Sequence, residues 1–283
     1  MTRLVFLLTL TLCLSSALAD PVTLRRIKEL SSTEQSRWKD YLQRSQTNAL
    51  ADAAAVQAEV VANKMTNPLR APSGGDFKLS VKTGDAWYAG DEAKQLADAV
   101  LSYQTPTGGW SKHTGYNKGP RQPGMQWTSQ NEPGQAAHYV ATFDNGSTTE
   151  QLYFLANVWH ATKREDCKAA FVKGLNFIFV AQFPNGGWPQ VYPLEGGYHD
   201  DITFNDDAMT HILELLHDIA SNDSALPSST SRAASKPPPR CRGDFSACSK
   251  RRSCRPARGR VGARSLTRSR SSRPQRARWS RPP

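Results

Sequence analysis

Cysteine is scarce in this chain and badly placed for pairing. Cys13 lies in an apolar N-terminal run, Cys167 stands alone in the middle, and Cys241, Cys248 and Cys254 sit near the C-terminus. The central body has no partner for an internal disulfide, which excludes a small disulfide scaffold and calls for a true hydrophobic core. A Gly-x-Ser-x-Gly elbow, a phosphate-binding glycine loop and the Cys/His spacing of a zinc site are also missing, so serine-hydrolase, nucleotide and zinc chemistry have no footing. Beyond residue 20 no long apolar run occurs, whereas a membrane span needs about 20 such residues.

The one apolar run, Leu4 to Leu14, follows Arg3 and precedes Ala17-Leu18-Ala19. This is the layout of a secretory signal, so residues 1–19 are expected to be cleaved and Asp20 to begin an exported, secreted protein. Acids fail at the other end. From Pro227 to Pro283 there are 15 Arg and 2 Lys against the single acid Asp244. Residues 1–226 hold 19 basic and 24 acidic residues, a net charge of −5, so the tail alone makes the chain basic at +11. The tail is mostly Arg, Ser and Pro, with Phe245, Val261, Leu266 and Trp279 as its only large apolar residues. It cannot bury enough surface to offset chain entropy and is expected to be disordered.

What is present is a repeat. Thr142-Phe143-Asp144-Asn145 and Thr203-Phe204-Asn205-Asp206 each open an apolar helical run. Each is preceded by a related loop, Gln104-Thr105-Pro106-Thr107-Gly108-Gly109-Trp110 and Gln182-Phe183-Pro184-Asn185-Gly186-Gly187-Trp188. The unit is helix, Gly-Gly-Trp loop, Thr-Phe turn, helix, and its recurrence indicates a repeat architecture. Apolar spacing predicts helices over 91–104, with Ala93, Leu96, Ala97, Val100 and Leu101 inward and Asp91 as cap, and over 148–161. It predicts two more over 165–182, with Cys167, Ala170, Phe171, Leu175, Ile178 and Phe179 inward, and over 206–220. Residues 20–65 read as a helical hairpin, and 67–73, with Pro68 and Pro72 before Gly74-Gly75, as a linker. The 105–134 loop is long and irregular, as functional loops often are.

Asp144 and Asp206 fall where a loop enters a helix, and stacked repeats would bring the two turns to one end. Two carboxylates and the Asn145 amide then suit a hard, oxygen-seeking cation such as Ca²⁺; the plainer role is helix capping. Trp110 and Trp188 on glycine loops offer flat faces to a sugar ring, or pack in the core. Lys112 beside the acidic turns suits an anionic ligand, or is merely solvated. Tyr198-His199-Asp200-Asp201 reads as a polar turn more readily than a metal cluster.

Four segments, QTPTGGWSK (104–112), ATFDNGSTTEQ (141–151), AQFPNGGWPQVYP (181–193) and GGYHDDITFNDDAM (196–209), resemble the family 10 polysaccharide lyases, pectate lyases of plant-associated and biomass-degrading bacteria. The similarity runs from about Trp38 to Ala220. It implies an all-α fold, an (α/α)₃ toroid, and Ca²⁺-dependent β-elimination of polygalacturonate in pectin degradation, with an arginine removing the C5 proton. It also implies that Asp144 and Asp206 hold the metal, and that Lys112 and Asn145 serve the substrate. Trp110 and Trp188 are expected to add sugar contacts. No nucleic acid or membrane partner is expected, and the protein should be a monomer.

The departure from the family pattern follows Ala220. A third helical pair, bearing the catalytic arginine, is replaced by the Arg/Ser/Pro tail, so the toroid is expected to be incomplete and the base is not identifiable. The tail has the composition of an out-of-frame reading of a GC-rich gene; resequencing that returned a clean frame through Pro283 would refute this. The expected organisation is a signal at 1–19, a helical region and linker at 20–75, a partial lyase domain at 76–226 and the tail at 227–283. The rivals are an inverting glycoside hydrolase with Asp144 and Asp206 as acid and base, and a non-catalytic polygalacturonate-binding remnant. A nucleic-acid arm in the tail fits poorly with an export signal.

Overall fold

A computed structural model describes residues 22–78, 84–130, 137–202 and 204–221. The expected signal, the tail and Thr203 lie outside the described residues. Among those described there are helices, tight turns and three isolated bridges, with no strand, so the fold is all-α.

The N-terminal region is not a hairpin. Helix α1 (Leu24–Ile27) is one turn, and α2 (Ser32–Ala62) is a single 31-residue rod. The break between them is set by a capping box: Ser31 Oγ accepts from the Glu34 N–H and the Glu34 carboxylate accepts from the Ser31 N–H. No Gly or Pro then interrupts the chain before Ala62, so nothing turns it back. The rod is pinned along its length. The Tyr41 hydroxyl donates to the Ala181 carbonyl, Ser45 Oγ accepts the Leu194 N–H, Asp52 binds Thr107, and Glu59 binds Arg121 and the Gly124 N–H. Residues 67–73 are not a free linker either. Leu69 and Pro72 exchange backbone hydrogen bonds with the loop at Gly124, Gln126 and Gly115.

After α3 (Asp85–Tyr88) the repeat is plain. Helices α4 (Asp91–Ser102) and α5 (Thr149–Thr162) form the first pair, α6 (Glu165–Ala181) and α7 (Ala208–Ala220) the second. Helix α5 packs on α4, α6 and α7, and α4 also touches α6. Successive pairs stacked in this way are compatible with an α/α toroid of which two pairs are described. Gly90, not Asp91, caps α4. In α6 the inward aromatics are Phe171 and Phe177, while Phe179 is partly exposed; the inward stripe recurs at three- and four-residue steps, and 179 falls outside it. Cys167 is buried, and burial pushes its thiol up to about 12, so it is core filler and not a nucleophile.

The two loops repeat bond for bond. Gln104 Nε2 donates to the Gly108 carbonyl and Gln182 Nε2 to that of Gly186, each at 2.9 Å. The Trp110 indole N–H donates to Val100 and that of Trp188 to Ile178, ten residues back and 2.8 Å away in both. Gly108 and Gly186 take left-handed backbone, φ +112° and +98°, which side chains resist. The surroundings then diverge. A Cβ on Gly108 would strike the Lys173 carbonyl of α6, and Phe143, fully buried, packs on Phe177. Gly186 faces nothing within 4 Å, and Phe204, the counterpart of Phe143, is 73% exposed. The first repeat is covered by the second, whose own equivalent face is open among the described residues.

Candidate active site

The two Thr-Phe turns superpose in backbone angles. Phe143 and Phe204 sit near φ −100°, ψ 0°, and one-turn 3₁₀ segments follow at Asp144–Gly146 and Asn205–Asp207. Asn145 (φ 52°, ψ 33°) and Asp206 (φ 51°, ψ 31°) share the left-handed region, where Asn and Asp are the side-chain-bearing residues best tolerated. Asp144 thus matches Asn205 and Asn145 matches Asp206. The turns touch, so the acid of one faces the acid of the other.

Neither acid caps a helix. Thr148 and Asp207 occupy the N-cap positions of α5 and α7, and no side-chain cap bond forms at either turn. The Asp144 carboxylate, almost wholly buried, instead accepts from Lys112 Nζ at 2.5 Å and Gln190 Nε2 at 2.7 Å. The Asn145 amide, oriented to suit its neighbours, adds two donations at 3.3 Å. Burial pushes this carboxyl up, but hydrogen bonds from Lys112, Asp206 and Gln190 hold it below the ordinary aspartate range. Asp206 is exposed, and its hydrogen bond and repulsion with Asp144 raise it above that range. Two carboxylates at close quarters cannot both ionise freely unless a cation sits with them.

Around this pair stands a closed circuit of side chains. Lys112 Nζ lies 3.8 Å above the Tyr139 ring. The Tyr139 hydroxyl is 2.9 Å from His199 Nε2, His199 Nδ1 is 3.2 Å from Gln190 Oε1, and Gln190 returns to Asp144. Burial and the Lys112 charge lower His199, keeping it neutral. Burial and the neighbouring Tyr198 raise Tyr139, keeping its phenol protonated.

The structure brings Lys112, Asp144, Asn145 and Asp206 together. It does not bring Trp110 and Trp188 to them as sugar platforms, and that expectation is corrected. Trp110 has no exposed surface and Trp188 hardly any, and both indole N–H groups are satisfied inside. Helix α6 even carries Gly174 where a Cβ would come within 3.0 Å of the Trp110 ring. These tryptophans anchor the loops that aim positions 112 and 190. Gln190 was legible in the repeat, since Trp110-Ser111-Lys112 aligns with Trp188-Pro189-Gln190, and the two residues clasp opposite oxygens of one carboxylate. Tyr139 belongs to no repeat and gave no signal. The Tyr198 to Asp201 stretch falls on a polar turn, the 3₁₀ segment Gly197–Asp200, with Asp200 accepting the Glu195 and Gly196 N–H groups, yet it delivers His199 into the circuit.

A family model described as pectic acid lyase matches residues 104–235. Two solved structures are similar to the chain. One is a mutant of a family 10 polysaccharide lyase from Cellvibrio cellulosa in complex with trigalaturonic acid. It is 36% identical over 48% of this chain and 40% of that one, with a TM-score of 0.38. The other, a family 10 polysaccharide lyase from the same organism, is 34% identical over 52% and 43%, with a TM-score of 0.36. The chain spans about two fifths of the length of these structures. No curated protein matches it.

Proposed function

We propose that this protein is of the pectate lyase type and that its described site is the half that grips the uronate carboxylate, a reading supported by the match of residues 104–235 to the pectic acid lyase family model. The observation that carries this is the meeting of Asp144, Asp206 and Lys112. Two carboxylates and one ammonium leave a single negative charge. A Ca²⁺ ion and one uronate carboxylate bring the cluster to neutrality, which a neutral sugar would not.

The donors fit Ca²⁺. Carboxylate oxygens are its preferred ligands, and the strained proximity of Asp144 and Asp206 is what a cation relieves. Asp144 and Asp206 would hold it. Among the described residues no group of three or more Asp, Glu, His or Cys is placed to hold a metal ion by itself, so amide, water and substrate oxygens would complete the shell. Bound there, the ion would draw electron density from the uronate carboxylate and make the C5 proton more acidic. Lys112 keeps Asp144 ionised and presents its ammonium toward the same anion, in a setting dry enough to strengthen that attraction.

No base is identified among the described residues. Arg121 is spent on Glu59, Arg164 on Asp98 and Asp166, Arg70 on the Ser129 carbonyl, and Arg44 lies over Tyr41. None of these faces the cluster, and we therefore expect binding with little or no turnover. The test is calorimetric titration with trigalacturonic acid, with and without Ca²⁺, beside ultraviolet absorbance for the 4,5-unsaturated product. Calcium-dependent binding with slight absorbance is expected. Absence of binding would refute the reading, and strong absorbance would refute the missing base. An inverting hydrolase is disfavoured: its two carboxyls need to stand about 6.5–9.5 Å apart for a water, and here they are within hydrogen-bond reach. The export signal at 1–19 remains part of this proposal; no described helix is long and apolar enough to cross a membrane.

A further inference from the structure

The circuit around Asp144 has a direction. The Lys112 ammonium has no acceptor capacity, so a carboxylate 2.5 Å from it accepts. Asp144 Oδ1 therefore also accepts, which obliges Gln190 to point its NH₂ at Asp144, 2.7 Å away, and its carbonyl oxygen at His199 Nδ1, 3.2 Å away. That oxygen accepts only from an N–H, so the His199 proton sits on Nδ1. Nε2 is left as an acceptor, and the Tyr139 hydroxyl, 2.9 Å off, donates to it. Each orientation follows from the one before, over three hydrogen bonds.

At the end of this chain the Tyr139 oxygen has no hydrogen left to give and offers only lone pairs. Its ring meanwhile supports Lys112 at 3.8 Å. Beside this phenol stands Tyr198, 60% exposed, with its ring 3.8 Å from that of His199. Side by side, the site then presents a donor for a carboxylate, Lys112, and an acceptor for a hydroxyl, Tyr139. We propose that Gln190, His199 and Tyr139 form a positioning relay that fixes the Tyr139 oxygen as the acceptor for a sugar hydroxyl adjacent to the carboxylate gripped by Lys112.

A uronic acid carries both groups on one ring; a neutral sugar lacks the first and a simple organic acid the second. The segment bearing Tyr139 is held for this task. Tyr139 itself takes left-handed backbone, φ 49°, a conformation that costs a bulky residue energy and is kept only where the surroundings impose it. The Glu195 carboxylate lies against this segment and meets His138 at 3.4 Å.

The ligand half of the proposal rests on the uronate reading above; the relay half rests on geometry alone, and two measurements separate them. In ¹⁵N spectra of the imidazoles, with the His199 signal identified by its loss in His199→Gln, the Nδ1–H tautomer is expected. It should give way in Gln190→Met, where the acceptor is gone. An Nε2–H tautomer in the wild type, or no change in Gln190→Met, overturns the relay. By calorimetry with trigalacturonic acid, Tyr139→Phe keeps the ring under Lys112 and should bind about fivefold to tenfold more weakly, the effect of one hydrogen bond. Unchanged affinity overturns the role as acceptor. A wild type that does not bind trigalacturonic acid refutes the uronate reading and with it the ligand half, while the tautomer still decides the relay.

Discussion

Asp52 offers a sharp quantitative test. It lies in α2 and is almost wholly buried, with its carboxylate accepting the Thr107 N–H at 3.0 Å and hydroxyl at 2.6 Å. Burial pushes it from an ordinary 3.8 up to about 6, against the pull of those two hydrogen bonds and of Lys173. The folded protein therefore holds this proton more tightly than the unfolded chain. Stability must fall as pH rises from about 4 to about 6, and the deficit then persists at neutral pH. Each factor of ten in proton affinity is about 1.4 kcal/mol, so the gap amounts to about 3 kcal/mol. In Asp52→Asn this component vanishes, though the variant forfeits one acceptor. Urea unfolding followed by tryptophan fluorescence at pH 4 and pH 7.5 gives the comparison. With a slope of about 2 kcal/mol per molar, the wild-type midpoint should drop by about 1–1.5 M more than that of Asp52→Asn over this interval. Parallel pH dependence in the two proteins would show that Asp52 titrates normally and refute the burial of its carboxyl against Thr107.

Lys112→Met strands the buried Asp144 charge, so a stability loss of about 3 kcal/mol at pH 7 is expected in thermal or urea unfolding. Asp144 is held low in the fold, so the wild type keeps this contribution above about pH 4 and loses it as pH falls through the depressed value; the variant should lack that acid limb, and its affinity for trigalacturonic acid should drop at least about tenfold. Phe143→Ser should cost about 3–4 kcal/mol of folding stability, while the repeat-equivalent Phe204→Ser should cost under about 0.5 kcal/mol and improve solubility; equal costs would refute the open face on the second repeat. Trp188→Phe loses the bond to the Ile178 carbonyl, and about 1–2 kcal/mol is expected in unfolding with sugar affinity nearly unchanged; a large affinity loss with normal stability would restore the platform role.

Much of this was legible in the chain. The helices over 91–102, 149–162, 165–181 and 208–220 follow from apolar spacing, because each buries one stripe and leaves the rest wet. The Gly-Gly-Trp loops and Thr-Phe turns announced the repeat, because their glycines and Asn/Asp positions meet backbone demands that few other residues satisfy. Side-chain direction was less legible. Trp110 was a candidate sugar platform until the Val100 carbonyl and the bare Gly174 accounted for its ring. The unbroken run of α2 read as a hairpin because helical periodicity does not say where a chain reverses; its contacts at Tyr41, Ser45, Asp52 and Glu59 pin it along both repeats.

By itself the sequence determined the all-α class, the doubled unit and the residue types at its turns, since periodicity, glycine placement and capping chemistry act over a few residues and can be seen along the chain. It also marked Asp144 and Asp206 as notable. Tertiary structure alone decided that their carboxyls meet, that Lys112 and Gln190 hold opposite oxygens of Asp144, and that Tyr139 and His199 close the circuit. Those facts depend on groups 9 to 62 residues apart arriving within a few ångströms through the stacking of one helix pair on the next. That stacking is set by the fit of Phe143 and Gly108 to α6, and no local pattern encodes a fit between surfaces.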